Sequence, residues 1–306
     1  MKFLKFRPEK HGVTQSLLNS FNKCKVLCYY KIRGVSAKRK KRDALDFGSL
    51  FHETVAVLYR RSKAPSKKRV RKTVRLVAKQ LEIKDEKLID MCKMLAVEYF
   101  LHWKGDFTKT DKRTTELEFS VKLKDLNCPI RGKVDAWFRI RKEEWMLETK
   151  TASRINWQEL LELLGFKLQH LLYLWARWRL KRVAPFGVLY NVVRKPGLRR
   201  SDDETYADFL KRCREHIRKK PDHYFIRREI RIRKSELKAF EVELVKMVRE
   251  FLRWHERGTK GTYRSSVACA GRFGMCEFAK LCATGSFEGY RVRDRFHQEL
   301  DSEVTK

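Results

Sequence analysis

The chain has 306 residues, 42% of them hydrophobic, and its 72 lysines and arginines against 38 aspartates and glutamates give a formal net charge of +34. This length and apolar content suffice for a folded core, which excludes a globally disordered chain. The positive charge opposes compaction and favours a polyanionic partner, of which nucleic acid is the first candidate. A basic structural protein has the same composition, so charge alone does not decide the function.

No stretch is apolar over the roughly 20 residues that a membrane span needs, and the start, "MKFLKFRPEKHG", lacks the apolar core of a secretory signal. We therefore expect a cytoplasmic protein without a membrane partner. In that compartment its 8 cysteines are expected to be free thiols or metal ligands rather than disulfides.

The predicted elements begin with helices. Thr14 stands at the N-cap position of a helix over "QSLLNSFNK". A basic loop at 38–42 precedes a helix over "FGSLFHETVAVLYRR", and a second basic loop at 67–72 leads into helical segments that end near "MLAVEYFLHW". Both loops are candidates for contact with a phosphate backbone, and a solvated run of charge is the alternative interpretation of 38–42.

From Thr114 the hydrophobic period changes to two, which predicts a strand, a turn at "LNCP" and a second strand. One face of that second strand is expected to carry Ile130, Gly132, Val134, Ala136 and Phe138. Asp135 then lies on its other face. "EWMLETK" predicts a third strand, on which Glu148 and Lys150, two residues apart, point the same way.

A long helix is predicted over 156–182, followed by the strand "FGVLYNVV", an alternating basic segment near 226–234 and a last long helix capped by Ser235. This order predicts one mixed α/β domain with a helical insertion. We divide it into an N-terminal helix with a basic loop (1–46), a helical region (47–113), a core (114–234) and a C-terminal helix with a cysteine-rich tail (235–306).

Two acids stand in strands that are otherwise apolar. Asp135 and Glu148 supply the oxygen ligands that a cation such as Mg²⁺ requires. A lysine beside them can orient water or stabilise charge on a phosphate. For Glu148 and Lys150 alone, a weak ion pair on an exposed strand is the simpler interpretation. Asp135 in a G-x-V-D sequence, 13 residues before E-x-K, makes the pattern specific.

This ordered pattern resembles the D…ExK core of the PD-(D/E)XK nuclease superfamily. Three further segments resemble its RecB-like and Cas4-like branch: "GSLFH" with Gly48 and His52, "QHLLY" with Gln169 and Tyr173, and the opening "SLLNSFNKCKVLCYY". Together these segments span almost the whole chain. The resemblance implies a restriction-endonuclease-like fold, in which helices flank a mixed sheet.

The resemblance also implies a role for each matching position. The implied ligands of Mg²⁺ or Mn²⁺ are His52, Asp135, Glu148 and the backbone carbonyl of Thr149. Lys150 would act on the water or the scissile phosphate, and Gln169 and Tyr173 would position DNA or the lysine. Glu116 or Glu118 could assist from the first strand, but neither is ranked as a site residue.

Three cysteines near the C-terminus, Cys269, Cys276 and Cys282, follow a C-x6-C-x5-C spacing. Such a group predicts a metal with a fourth ligand from elsewhere, and zinc fits the spacing alone. The resemblance instead implies a [4Fe-4S] cluster with Cys24 as fourth ligand, and Cys28 as its rival. The x6 spacing is longer than the C-x2-C of related enzymes.

These patterns favour a metal-dependent DNase, in particular an exonuclease acting on single strands or duplex ends. No P-loop is present, so a helicase or recombination partner would be a separate protein. The alternatives are a non-catalytic nucleic-acid-binding protein with a structural zinc or iron-sulfur site, and a basic scaffold with zinc. The intact Asp135, Glu148 and Lys150 favour the enzyme.

Overall fold

The computed structural model describes residues 2–38, 43–61, 63–108, 112–123, 126–152, 164–271, 274–297 and 300, without the side chains of 43–45 and 112–113. Most of the first basic loop, 39–42, lies outside the described residues, as does 156–163 of the long helix. No helix within the described ranges is long and apolar enough to cross a membrane.

A mixed six-stranded sheet forms the centre of the described chain. Its strands are β1 (Val13–Thr14), β3 (Lys112–Lys122), β4 (Pro129–Ile140), β5 (Glu143–Ala152), β6 (Gly187–Arg194) and β7 (Phe225–Arg231). The order is β1-β4-β5-β6-β7, with β3 also paired to β4. β1 runs parallel to β4 and β5 parallel to β6, whereas the remaining pairs are antiparallel.

Helices and short strand pairs complete the described structure. The helices are α1 (Pro8–His11), α2 (Gln15–Lys23), α3 (Lys25–Ile32), α4 (Asp43–Tyr59), α5 (Lys67–Gln80), α6 (Glu86–His102), α7 (Leu168–Lys181), α8 (Tyr206–Lys219), α9 (Pro221–Tyr224), α10 (Lys234–Glu256) and α11 (Ala279–Thr284). Two 3₁₀ turns span Lys104–Phe107 and Ser266–Ala268. Two small sheets pair β2 (Val35–Ala37) with β10 (Tyr290–Val292), and β8 (Ala270–Gly271) with β9 (Gly274–Met275).

Apolar side chains cover both faces of the central sheet. One cluster joins the sheet to α2, α7 and α10, and a second joins it to α4, α5, α6 and α8. Burial on both faces explains why β6 reads as a nearly continuous apolar run, "GVLYNVVR". The predicted restriction-endonuclease-like arrangement, a mixed sheet flanked by helices, is confirmed.

Three local predictions are wrong. Residues 67–72 are not a loop but the first turns of α5, which Ser66 caps by accepting from the Arg69 N–H at 3.3 Å. The predicted long helix over 156–182 is interrupted, because the chain turns at Gly165 and is extended at Lys167, and α7 begins at Leu168. The last helix begins one residue before Ser235, where Glu236 accepts the Arg233 N–H at 2.6 Å. The predicted cap at Thr14 is confirmed by its bond from the Leu17 N–H at 3.3 Å.

Candidate active site at a fork in the central sheet

The central sheet divides at the two predicted acids. β4 and β5 pair from Ile140 and Glu143 as far as Ala136 and Leu147. β3 occupies one edge of β4 along nearly its whole length, so β1, which pairs near Ile130, shares the other edge with β5. Asp135 and Glu148 are the residues directly beyond the last paired position. They therefore lie where the two strands separate.

At this point the regular alternation of β4 side chains between the two faces of the sheet is interrupted. The β3–β4 ladder skips the position where Glu116 lies opposite Asp135, and Glu116 has a φ of +51°, which non-glycine residues rarely adopt. Val134 accordingly packs with the α7 cluster, whereas Ala136 packs with the α4 cluster. The prediction of one apolar face over 130–138 is wrong, because strict alternation assumes an unbroken ladder.

Asp135 contacts both the neighbouring strand β5 and helix α4. Its Oδ2 accepts the backbone N–H of Thr149 at 3.2 Å and lies 3.6 Å from Nδ1 of His52 on α4. Burial opposes ionisation of Asp135, but the hydrogen bond and charge of His52, the charge of Lys150 and the Thr149 N–H together lower its pKa. With 34% of its side chain exposed, Asp135 is an accessible carboxylate.

Glu148 is the buried partner in the pair of acids. Its side chain is 1% exposed; Oε1 forms an ion pair with Lys150 Nζ, and Oε2 accepts from Gln169 Nε2 at 3.3 Å. Burial and the charge of Asp135 outweigh Lys150 and raise the pKa of Glu148. Burial lowers the pKa of Lys150, but the two acids raise it further, so the lysine is held as a cation. Its side chain is 44% exposed and accessible to a substrate.

The family model of the PD-(D/E)XK nuclease superfamily matches residues 13–283. The chain belongs to this superfamily. The superfamily predicted from the motifs is thereby confirmed, and with it the class of phosphodiester hydrolase that uses divalent metal ions such as Mg²⁺ or Mn²⁺. No curated protein matches the chain.

Solved structures that match this PD-(D/E)XK chain include two with low similarity. The crystal structure of SSO0001 is 17% identical with a TM-score of 0.23, and the match covers 67% of this chain and 85% of that one. The crystal structure of protein VC1899 from Vibrio cholerae is 12% identical with a TM-score of 0.21, and the match covers 71% of this chain and 57% of that one.

The donor set at the fork fits a hard divalent cation. Two carboxylates lie close enough for Asp135 to raise the pKa of Glu148, and a cation between such acids would offset their repulsion. His52 and the carbonyl of Thr149 supply donors of suitable chemistry beside them. Within the described ranges, however, no three His, Cys, Asp or Glu side chains already surround one ion position. His52 and Lys150 instead contact the carboxylates.

Tyr173 lies one turn beyond Gln169 on α7 and packs in the core. Its ring meets Phe119 edge-on at 5.4 Å. A Cβ added to Gly132 would lie 2.9 Å from Tyr173 Cε1, so the glycine permits this close approach. The role of Tyr173 in positioning DNA or the lysine stays a prediction.

Several side chains near the fork were not predicted. Tyr190 pairs in register with Glu148, and its hydroxyl accepts from Lys167 Nζ at 3.3 Å. Burial raises the pKa of Tyr190 to about 12, and burial together with Lys150 lowers the pKa of Lys167. Lys167 thus places a second cation near the acids. Its position was hidden because the long-helix prediction assigned it to a helix interior.

A buried polar side chain supports the segment that carries Glu148. Asn191, in register with Thr149 on the neighbouring strand, donates to Thr149 Oγ1 at 3.3 Å and to the Tyr99 hydroxyl at 2.8 Å. A polar residue within the apolar run of β6 was the available sequence signal. Its partner on α6, Tyr99, lies 92 positions away and carried no such signal in the sequence.

This buried network continues away from the fork. The hydroxyls of Tyr99 and Tyr59 lie 3.0 Å apart, and Tyr59 donates to Asp106 at 2.5 Å. Arg227 on β7 donates twice to Asp106, at 2.7 and 3.0 Å. A continuous hydrogen-bonded chain therefore links β7 to the strand that bears Glu148, through side chains that are at most 12% exposed.

The four predicted cysteine ligands lie in one neighbourhood. Burial raises the pKa of Cys282, and the nearby thiols of Cys276, Cys24 and Cys269 raise it further. Cys28 differs, because it is fully buried in the main core and burial raises its pKa to about 12. The described thiols are near one another but are not arranged as a ligand set around one metal.

Proposed function

We propose that the protein is a Mg²⁺- or Mn²⁺-dependent deoxyribonuclease of the RecB-like and Cas4-like branch, and that it acts as an exonuclease on single strands or duplex ends. The observation that carries the proposal is the meeting of Asp135, Glu148 and Lys150 where β4 and β5 separate. A net charge of +34 supports DNA as the substrate. A helicase or recombination protein would act as a separate partner.

In this proposal Asp135, Glu148, His52 and the Thr149 carbonyl hold the metal. When bound, the metal supplies a Lewis acid for the phosphate and lowers the pKa of coordinated water. The protein's own contribution is positional and electrostatic. The Thr149 N–H orients Asp135, and Gln169 orients Glu148.

In this proposal Lys150 stabilises negative charge on the substrate phosphate. Because the two carboxylates raise its pKa, it carries a full positive charge throughout the neutral range. Its exposed ammonium group can contact the scissile phosphate or the attacking water, where a fixed cation stabilises developing negative charge.

We further propose that Cys24, Cys269, Cys276 and Cys282 bind a [4Fe-4S] cluster. Their mutual proximity supports this set, and the complete burial of Cys28 in the main core favours Cys24 as the fourth ligand. Hydrolysis needs no redox step, so the cluster would serve to join residue 24 to the C-terminal segment. The whole chain would then act as a single nuclease domain.

Incubation of end-labelled linear and circular DNAs with Mg²⁺ or Mn²⁺ tests the enzyme. We expect linear DNA to lose nucleotides from its ends and circular duplex DNA to survive. Cleavage of circular duplex would exclude a strict exonuclease. Binding without cleavage under either metal would instead favour the non-catalytic nucleic-acid-binding protein with a structural metal site.

A further inference from the structure

Helix α5 carries an unusual charge pattern. Its sequence, KKRVRKTVRLVAKQ, has seven lysines and arginines among 14 residues and no acid. The buried residues, Val70, Thr73, Val74, Val77 and Ala78, face the neighbouring helices α4 and α6. All seven cations are exposed to solvent. The exposed charged residues of α5 are therefore all basic.

None of the seven α5 cations forms an ion pair with an acidic residue in the described ranges. Like charges follow one another at i, i+4 in Arg71, Arg75 and Lys79, and each such contact destabilises a helix by about 0.2–0.5 kcal/mol. Lys67 and Lys68 in the first turn also oppose the helix dipole. An acidic residue four positions from one of these cations would reduce the repulsion, but α5 contains no acid.

Part of the basic face forms a groove between α5 and α6. The groove has a volume of about 500 Å³ and is lined by Arg71, Lys72, Arg75, Leu76, Lys79 and Lys93. Lys93 pairs with Asp90 at 2.7 Å, which leaves four cations from α5. Arg71 and Lys79 are separated by about 12 Å along the helix axis, the rise of roughly three to four nucleotides in one strand of B-DNA.

The high net charge does not by itself produce such a face. Helix α10 is longer, with 23 residues, and carries five lysines and arginines against five glutamates. On α8, Arg214 and Arg218 contact Glu98 at 3.8 and 2.9 Å. Segregation of unpaired cations on α5 is therefore a local property, complementary to a linear polyanion.

We propose that the α5–α6 groove, defined by Arg71, Lys72, Arg75 and Lys79, binds the sugar-phosphate backbone of duplex DNA outside the active site. Helix α4 packs against α5 and also carries His52 to Asp135, so the groove and the fork are separate surfaces joined by one helix. The groove would hold the duplex behind the end being cleaved. The choice of DNA as polyanion rests on the proposed function.

The test compares two variants with the same change in net charge. One carries Arg71→Gln, Lys72→Gln, Arg75→Gln and Lys79→Gln. The control carries Lys238→Gln, Lys246→Gln, Arg249→Gln and Arg253→Gln on exposed positions of α10. Each removes two lysines and two arginines, and glutamine keeps a similar helix propensity. Anisotropy of a labelled 30-base-pair duplex, measured with EDTA over a range of salt, reports binding without cleavage.

We expect the α5 variant to bind duplex DNA at least tenfold more weakly at about 0.1 M salt. The slope of log K against log salt should flatten by about 3.6, since each of the four lost phosphate contacts removes about 0.9. The control should change the slope by less than about 1. Equal changes in both variants would overturn the proposal, and so would an α5 variant that loses affinity only for phosphatidylserine vesicles or polyglutamate. Because EDTA removes metal-dependent cleavage from the assay, failure of the proposed enzyme would leave this result interpretable.

Discussion

The carboxylate fork and the cysteine end are built in opposite ways. At the fork, paired strands position the backbone, Glu148 is wholly buried, and hydrogen bonds from Gln169 and the Thr149 N–H orient the acids. At the cysteine end, the thiols are only half-buried around five apolar residues, and the nearby sheets are two or three residues long. The protein therefore orients the two acids of the fork through its own hydrogen bonds. The cysteine end has few buried apolar contacts of its own, so we expect its folding to depend on the ligand that the thiols bind.

The largest effect should come from the fork. Glu148→Gln keeps the shape of the side chain but removes the charge that holds Lys150 and would bind metal. We expect DNA cleavage to fall on the order of a thousandfold, with DNA affinity nearly unchanged because phosphate contacts elsewhere dominate it. Single-turnover cleavage and anisotropy measure the two quantities.

Glu143→Gln on the same strand is the matched control and should keep wild-type cleavage. If the Glu148 variant cleaves at the wild-type rate, the fork is not the active site.

The next effect concerns the cysteine end. A cluster that joins Cys24 to Cys269 closes a loop of about 245 residues, and the chain-entropy model gives about 5 kcal/mol of stabilisation for such a link. Cys24→Ser should therefore remove the bound iron and lower the melting temperature of anaerobically purified protein. Iron and sulfide per chain, with a thermal melt, provide the measurement.

Cys92→Ala, in the buried interior of α6, is the control and should retain iron. Loss of iron from Cys28→Ser but not from Cys24→Ser would show that the fourth ligand is Cys28. Zinc without iron in the wild type would rule out the cluster.

A smaller effect tests whether the buried network supports the fork. Tyr99→Phe deletes the hydroxyl that links Asn191 to Tyr59 and keeps the ring in place. Removing a group that hydrogen-bonds a metal ligand directly typically costs 10- to 100-fold in metal affinity or activity. Tyr99 is two hydrogen bonds from Thr149, so the lower end of this range applies. We expect about a tenfold rise in the Mg²⁺ concentration that gives half-maximal cleavage.

Tyr206→Phe removes an exposed tyrosine hydroxyl bond, 2.6 Å from the Lys87 carbonyl, and should leave that concentration unchanged. Equal shifts in both variants would mean that the network does not act on the metal site.

The smallest effect is a pH dependence beside the fork. Burial lowers the pKa of His170 from 6.5 to about 4, and its ring packs on Tyr190. The unfolded chain takes up this proton below about pH 6.5 and the folded chain only near pH 4, so stability is lost as the pH falls between these values. We expect a loss of about 2 kcal/mol between about pH 7.5 and pH 5.

His170→Gln should flatten this part of the profile in urea unfolding experiments. A variant that retains the full wild-type slope would assign the pH dependence to other groups.

The sequence by itself determined which residues could carry chemistry. The order of Asp135, Glu148 and Lys150 resembled the D…ExK core of the superfamily. Alternation along a strand placed Glu148 and Lys150 on one face. The basic character of α5 and the three clustered C-terminal cysteines were equally visible. Each of these is a local property, set by residue type and short spacing.

Only the tertiary structure decided how those residues meet. The face reversal at Glu116 and Asp135 was invisible to a period-two pattern, because a left-handed residue leaves no mark on hydrophobic alternation. Asn191 and Tyr99 contact across 92 positions, and their pairing depends on which strand lies beside β5. Local periodicity determines the face that an element can present. The fork exists because β5 leaves β4 at Ala136, and that follows from the packing of whole strands and helices.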